Sequence, residues 1–166
     1  MAIMARLRQT RRANQSGFTF IELVVSTAII AILASGAIPL ARVSMRRTRE
    51  AELHRALREV RMAIDKFKDA ADQQIISPLE LQAGGDGYPK DLQQLVDGVA
   101  LNNDASGKKM RFLRRIPIDP ITGRADWKLR AYGDDAKSTV WGGGNVYAVA
   151  SKSDGTALDG TKYKDW

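Results

Sequence analysis

"SGFTFIELVVSTAIIAILASGAIPLA", residues 16–41, decides how the rest of the chain is read. From Phe18 to Ala41 run 24 residues in which Glu22 is the only charge. As a helix rising 1.5 Å per residue they reach about 36 Å, enough to cross a hydrocarbon core of about 30 Å. A charged side chain at such depth costs about 2.5–3.5 kcal/mol on insertion scales, so Glu22 calls for a functional partner. The bland alternative is a carboxylate that snorkels to the interface. A cleavable secretory signal cut at the small residues Ser35 to Ala37 is a second competitor. It is disfavoured because the apolar run exceeds the usual core of about 7–15 residues and contains a charge.

The flanks are polar on both sides. Residues 1–17 hold Arg6, Arg8, Arg11 and Arg12 and no acid, and Arg42, Arg46, Arg47 and Arg49 follow the apolar run. Counting Lys and Arg at the two ends gives a tie, so charge alone does not orient the segment. Of the formal charge of +7, the leader carries four; the remaining 22 Lys and Arg against 19 Asp and Glu leave +3. The high isoelectric point is thus weak support for nucleic-acid binding. The absence of cysteine removes disulfides and thiolate chemistry. The 125 residues after Ala41 suffice for one small core.

The helix is expected to continue past the apolar part, with a kink at Pro39, which lacks an N–H. Residues 42–71 contain neither Gly nor Pro, and Leu53, Leu57, Val60, Ile64, Phe67 and Ala71 recur at spacings of 4, 3, 4, 3 and 4. That is one apolar face of a helix, read either as a filament seam or, preferably, as the face packed on the protein's own sheet. Arg55/Glu59 and Arg61/Asp65 stand at ion-pair spacing. Glycines and prolines then punctuate residues 77–91, and Lys90 to Val96 reads as a short helix. Ala125–Tyr132, Asn145–Ser151 and Thr161–Trp166 are strand candidates separated by Gly-rich turns. The fold class is α+β: a long N-terminal helix, transmembrane in its first half and amphipathic in its second, packed on a small antiparallel sheet.

The residues "SGFTFIELVVSTAIIAILASGAIP" resemble the N-terminus of type IV pilins and of the pseudopilins of type II secretion. The resemblance implies a leader, residues 1–17, removed by a prepilin peptidase after Gly17. It also implies methylation of the new N-terminal Phe18 and an assembly role for Glu22, four residues on. Pro39 stands where the family also places a proline. Residues 18–41 would be the transmembrane and filament-core segment, and 42–166 the globular domain. The amine created before Phe18 offers Glu22 a partner, in its own chain or in a neighbouring subunit; the family implication is the intersubunit pair. A buried unpaired charge is strongly penalised, so misplaced subunits are rejected. The arginines after the apolar run suit anionic headgroups, a filament neighbour, or plain solvent.

Further along, "YPKDLQQLV", "IPIDPITGRADW" and "NVYAVASKSDGTALDGTKYKDW" are similar, in this order, to the globular part of major pseudopilins. That family holds calcium in its C-terminal loop, which makes Asp154 and Asp159 candidate ligands. Asp165, Ser151, Ser153, Thr156 and main-chain carbonyls lie nearby. Calcium takes six to eight oxygens, whereas Lys152, Lys162 and Lys164 add positive charge, and Asp-Gly is first of all a turn signal.

No catalytic constellation is visible. His54 is the only histidine and reads as a surface residue of the helix; "GGDG" and "GGG" lack the context of phosphate loops. Lys108, Lys109, Arg111, Arg114 and Arg115, with Phe112 interleaved, would suit a phosphate backbone, but a solvated loop or intersubunit contact is the plainer reading. The expectation is therefore a non-enzymatic pseudopilus subunit anchored in the bacterial inner membrane. Its globular domain would be periplasmic, both before and after assembly. Its partners would be further copies of itself, the prepilin peptidase, minor pseudopilins, membrane lipid, and an assembly platform with a cytoplasmic ATPase. The alternatives are a type IV pilus subunit for adhesion, motility or DNA uptake, and an anchored binding domain that never assembles.

Overall fold

The computed structural model describes residues 17–84, 86–102, 107–135, 138 and 140–166, so the expected leader, but for Gly17, lies outside the described residues. The chain divides into two compact units, Met1–Arg42 and Val43–Trp166. Helix α1, Phe20–Asp72, contributes its first part to one unit and its second to the other, and it is continuous through Pro39.

In the second unit the stripe read from the sequence is the core face. Leu53, Leu57, Val60, Ile64, Phe67 and Ala71 are all buried, so within the chain this stripe packs on its own domain and is not a free seam. The ion pair on this part of α1 is Lys68–Asp72 rather than either expected pair, and the Arg61 guanidinium turns away to the C-terminal part of the domain. Opposite the helix lie two separate two-stranded antiparallel pieces. One joins β1 (Val99–Ala100) to β2 (Lys109–Met110); the other joins β3 (Lys128–Arg130) to β4 (Ala148–Ala150), with Leu129 opposite Val149.

Before β1 comes α2, Leu92–Asp97, shifted slightly from its expected bounds because Asp91 is its cap: Asp91 Oδ1 accepts the Gln94 N–H at 2.8 Å. Gly98 ends α2 at φ +79°, where a Cβ would stand 2.7 Å from the Met110 carbonyl oxygen, so the exit into β1 needs glycine. The Leu95 carbonyl accepts the N–H groups of Phe112 (3.0 Å) and Leu113 (2.9 Å). Phe112 is thereby laid on Phe67, ring centroids 5.3 Å apart. The expected third strand is absent. Tyr163–Asp165 is a single 3₁₀ turn, and Lys162 makes only an isolated bridge to Thr156.

The turn after β3 is closed by Asp134, whose Oδ2 accepts the Ala131 N–H at 2.8 Å and the Gly142 N–H at 3.1 Å. These backbone hydrogen bonds hold its carboxyl below the usual carboxylate range. Because the folded value lies below the unfolded one, the contribution is present above about pH 4 and lost as the pH falls through the folded value. The protection of the Ala131 and Gly142 amides, relative to their intrinsic exchange at each pH, is expected to fall with acid in the natural chain. In Asp134→Asn this acid dependence should vanish; its persistence would assign it to another group.

Candidate functional site

In the first unit, α1 begins after Thr19. The Thr19 carbonyl accepts the Leu23 N–H at 3.1 Å, and its hydroxyl oxygen accepts the Glu22 N–H at 3.3 Å. Thr19 to Glu22 thus has the spacing of a capping box, in which an acid in the first turn also meets the positive end of the helix. The Thr-x-x-Glu pattern was readable in the sequence, and the structure shows the Thr19 half of such a box. Phe18 precedes the helix, so in the uncut chain Phe18 and Glu22 do not lie one helical turn apart.

The segment as a whole is uncovered. Phe18 is 82% exposed and Leu40 73%, and every residue between them is exposed. Its hydroxyls are largely turned inward to the helix backbone: Thr27 donates to the Leu23 carbonyl at 2.9 Å and Ser35 to that of Ile32 at 2.7 Å. Such self-satisfaction suits an apolar medium, where unpaired polar groups are costly. Among the described residues, α1 is the one helix long and apolar enough to cross a membrane. An added Cβ on Gly17 would meet nothing within 4 Å, so the described structure does not itself require glycine there.

At the other end of the chain, three residues on one flank of α1 hold the C-terminal segment. Glu50 Oε1 accepts the Leu158 N–H and the Tyr163 hydroxyl, both at 2.9 Å. Burial, and then this hydrogen bond, push the Tyr163 phenol up. His54 stacks on the Trp166 ring, centroids 4.1 Å apart, so the lone histidine is exposed but engaged. Arg61 donates to the main-chain oxygens of Val149 (3.1 Å) and Trp166 (2.5 Å). The spacing 50, 54, 61 marks one helix flank, but nothing local reveals partners some hundred residues away.

The two calcium candidates are not brought together with a third acid; among the described residues no group of three His, Cys, Asp or Glu side chains is placed to hold a metal. Asp154 Oδ1 pairs with Lys164 Nζ at 3.0 Å, which lowers the carboxyl's pKa and raises that of the lysine. Asp159 Oδ1 accepts the Thr161 hydroxyl at 2.7 Å and its N–H at 2.8 Å, and these bonds lower its pKa too. Ser151 is fully buried, donating to Asp119 at 2.6 Å. The basic run Lys108–Arg115 is largely exposed, but Phe112, needed for base stacking, is half-buried against Phe67.

Residues 12–38 match the prokaryotic N-terminal methylation motif. The chain carries a type IV prepilin-like signal, and Gly17, Phe18 and Glu22 fall within the matched stretch. Neither the curated proteins nor the solved structures contain a significant match to the chain.

Proposed function

We propose that the chain is a structural subunit of a type II secretion pseudopilus. In this reading a prepilin peptidase cuts after Gly17 and Phe18 is methylated. The subunit then waits in the inner membrane until a platform driven by a cytoplasmic ATPase adds it to a periplasmic filament that moves cargo outward. The observation that carries the reading is the methylation motif over residues 12–38, which from Phe20 onward forms an apolar helix exposed at every residue to Leu40. Gly17 adds support: a glycine the described fold does not need suits a residue read by an outside agent, the peptidase. The order of the C-terminal segments and the lack of cysteine favour secretion over an adhesive pilus.

Mass analysis of the N-terminus tests the processing. A mature chain beginning at methylated Phe18 is expected; an intact Met1, or a cut near Ala37, would overturn the reading. Deleting the gene in the source bacterium separates the two filament functions. Loss of protein export with surface pili retained is the expected result, and the reverse pattern would assign the chain to a pilus.

A further inference from the structure

The C-terminal loop contains oxygens of the kind that calcium selects, and several of them are already held by donors of the chain itself. Lys162 Nζ donates to the Thr156 hydroxyl oxygen at 2.7 Å and lies 3.4 Å from the Asp154 carbonyl oxygen. Lys164 Nζ takes the Asp154 carboxylate, Thr161 takes that of Asp159, and the Ser153 hydroxyl oxygen accepts the Gly155 N–H at 3.2 Å. The placement of Lys162 is fixed by the backbone. Thr156 and Lys162 face each other in an antiparallel bridge, and the Ala157 N–H donates to the Thr161 carbonyl at 2.8 Å. The tight return is made possible by Gly160 at φ +89°.

We infer that the ammonium groups of Lys162 and Lys164 do the work of a cation in this loop, so that it closes without calcium. Lys162 ties one side of the loop to the other by joining main-chain and hydroxyl oxygens, as a bound ion would. The charges agree: Lys164 pairs with the Asp154 carboxylate, and a divalent ion would have to enter beside the ammonium groups of Lys162 and Lys164. A hard cation that needs six or more oxygens would also have to displace both lysines before it could be coordinated. An ammonium offers three donors and no such demand, which suits a loop with few free oxygens. The inference holds for the loop whether the filament serves secretion or a pilus.

Amide hydrogen exchange on the full chain in detergent micelles tests this. In the natural protein, protection at Ala157 and Tyr163 is expected to be the same in 5 mM calcium, about a thousandfold above a micromolar site, as in a chelator. Lys162→Met should speed exchange at these two amides several-fold while leaving those of Val60 and Ile64 unchanged, and Lys162→Arg should restore most of the protection. Added protection by calcium in the natural protein would overturn the inference, as would unchanged exchange in Lys162→Met. Should Lys162→Met fail to fold, the calcium comparison on the natural chain still decides.

Discussion

Glu22→Ala is expected to insert into the membrane normally and to be cut before Phe18, yet to be all but absent from filaments. Insertion should survive because removing a carboxylate from an apolar helix relieves a cost of a few kcal/mol rather than adding one. Assembly should fail because a neighbour's N-terminal amine would then be buried without its partner. Breaking a buried pair costs about 3–5 kcal/mol, a discrimination of roughly two hundredfold to five thousandfold against the variant. The structure supplies a rival explanation, since Glu22 occupies the acid position of a capping box with Thr19. Glu22→Gln separates the two, because Gln serves in a capping box but carries no charge. If Gln assembles as the natural chain does, Glu22 is a capping residue; if it fails like Ala, the charge is what matters. The measurement is the ratio of filament to membrane-extracted subunit for each variant, alongside N-terminal mass analysis.

The largest stability effect is expected at Asp119. This residue is fully buried, and its carboxyl group has no cation beside it among the described ion pairs. Its oxygens are instead met by neutral donors. Oδ1 accepts the Ile121 N–H at 2.7 Å and the Thr122 N–H at 3.4 Å, while Oδ2 accepts the Ser151 hydroxyl at 2.6 Å. The Ser151 oxygen in turn accepts the Ser153 N–H at 3.1 Å. One side chain therefore organises the Pro120–Gly123 turn and ties it to the segment leaving β4. Asp119→Ala would strand the buried Ser151 hydroxyl and the part-buried Ile121 N–H, costing about 3 kcal/mol. For a domain of this size that corresponds to a fall in Tm of roughly 10 °C. Asp119→Asn keeps one acceptor and should lose less. A Tm drop for the alanine variant no larger than that of an exposed substitution such as Asp126→Ala would show that the network contributes little.

Much of this architecture was readable before any coordinates. The buried stripe from Leu53 to Ala71 follows from helical period alone, and Lys90 to Val96 reads as a short helix after Pro89, its start then set by the Asp91 cap. β1 and β2 were not legible. Two residues each carry no period, and they are set by Gly98 and by the Leu95 carbonyl rather than by strand propensity. The C-terminal residues Thr161–Trp166 misled because alternation of Tyr163 and Lys164 resembles a strand. Glu50, His54 and Arg61 draw them onto α1 instead.

The N-terminal signal is the part that sequence alone determined. An apolar run, one acid five residues past Gly17 and a basic stretch before it are properties of adjacent residues, so a short motif carries them. Tertiary structure decided the rest. That Asp154 pairs with Lys164, and that Asp119 is a buried anchor and not a surface turn, depends on partners 10 and 32 residues away. Pairings at that range depend on how the chain packs, and no local pattern in the residues encodes them.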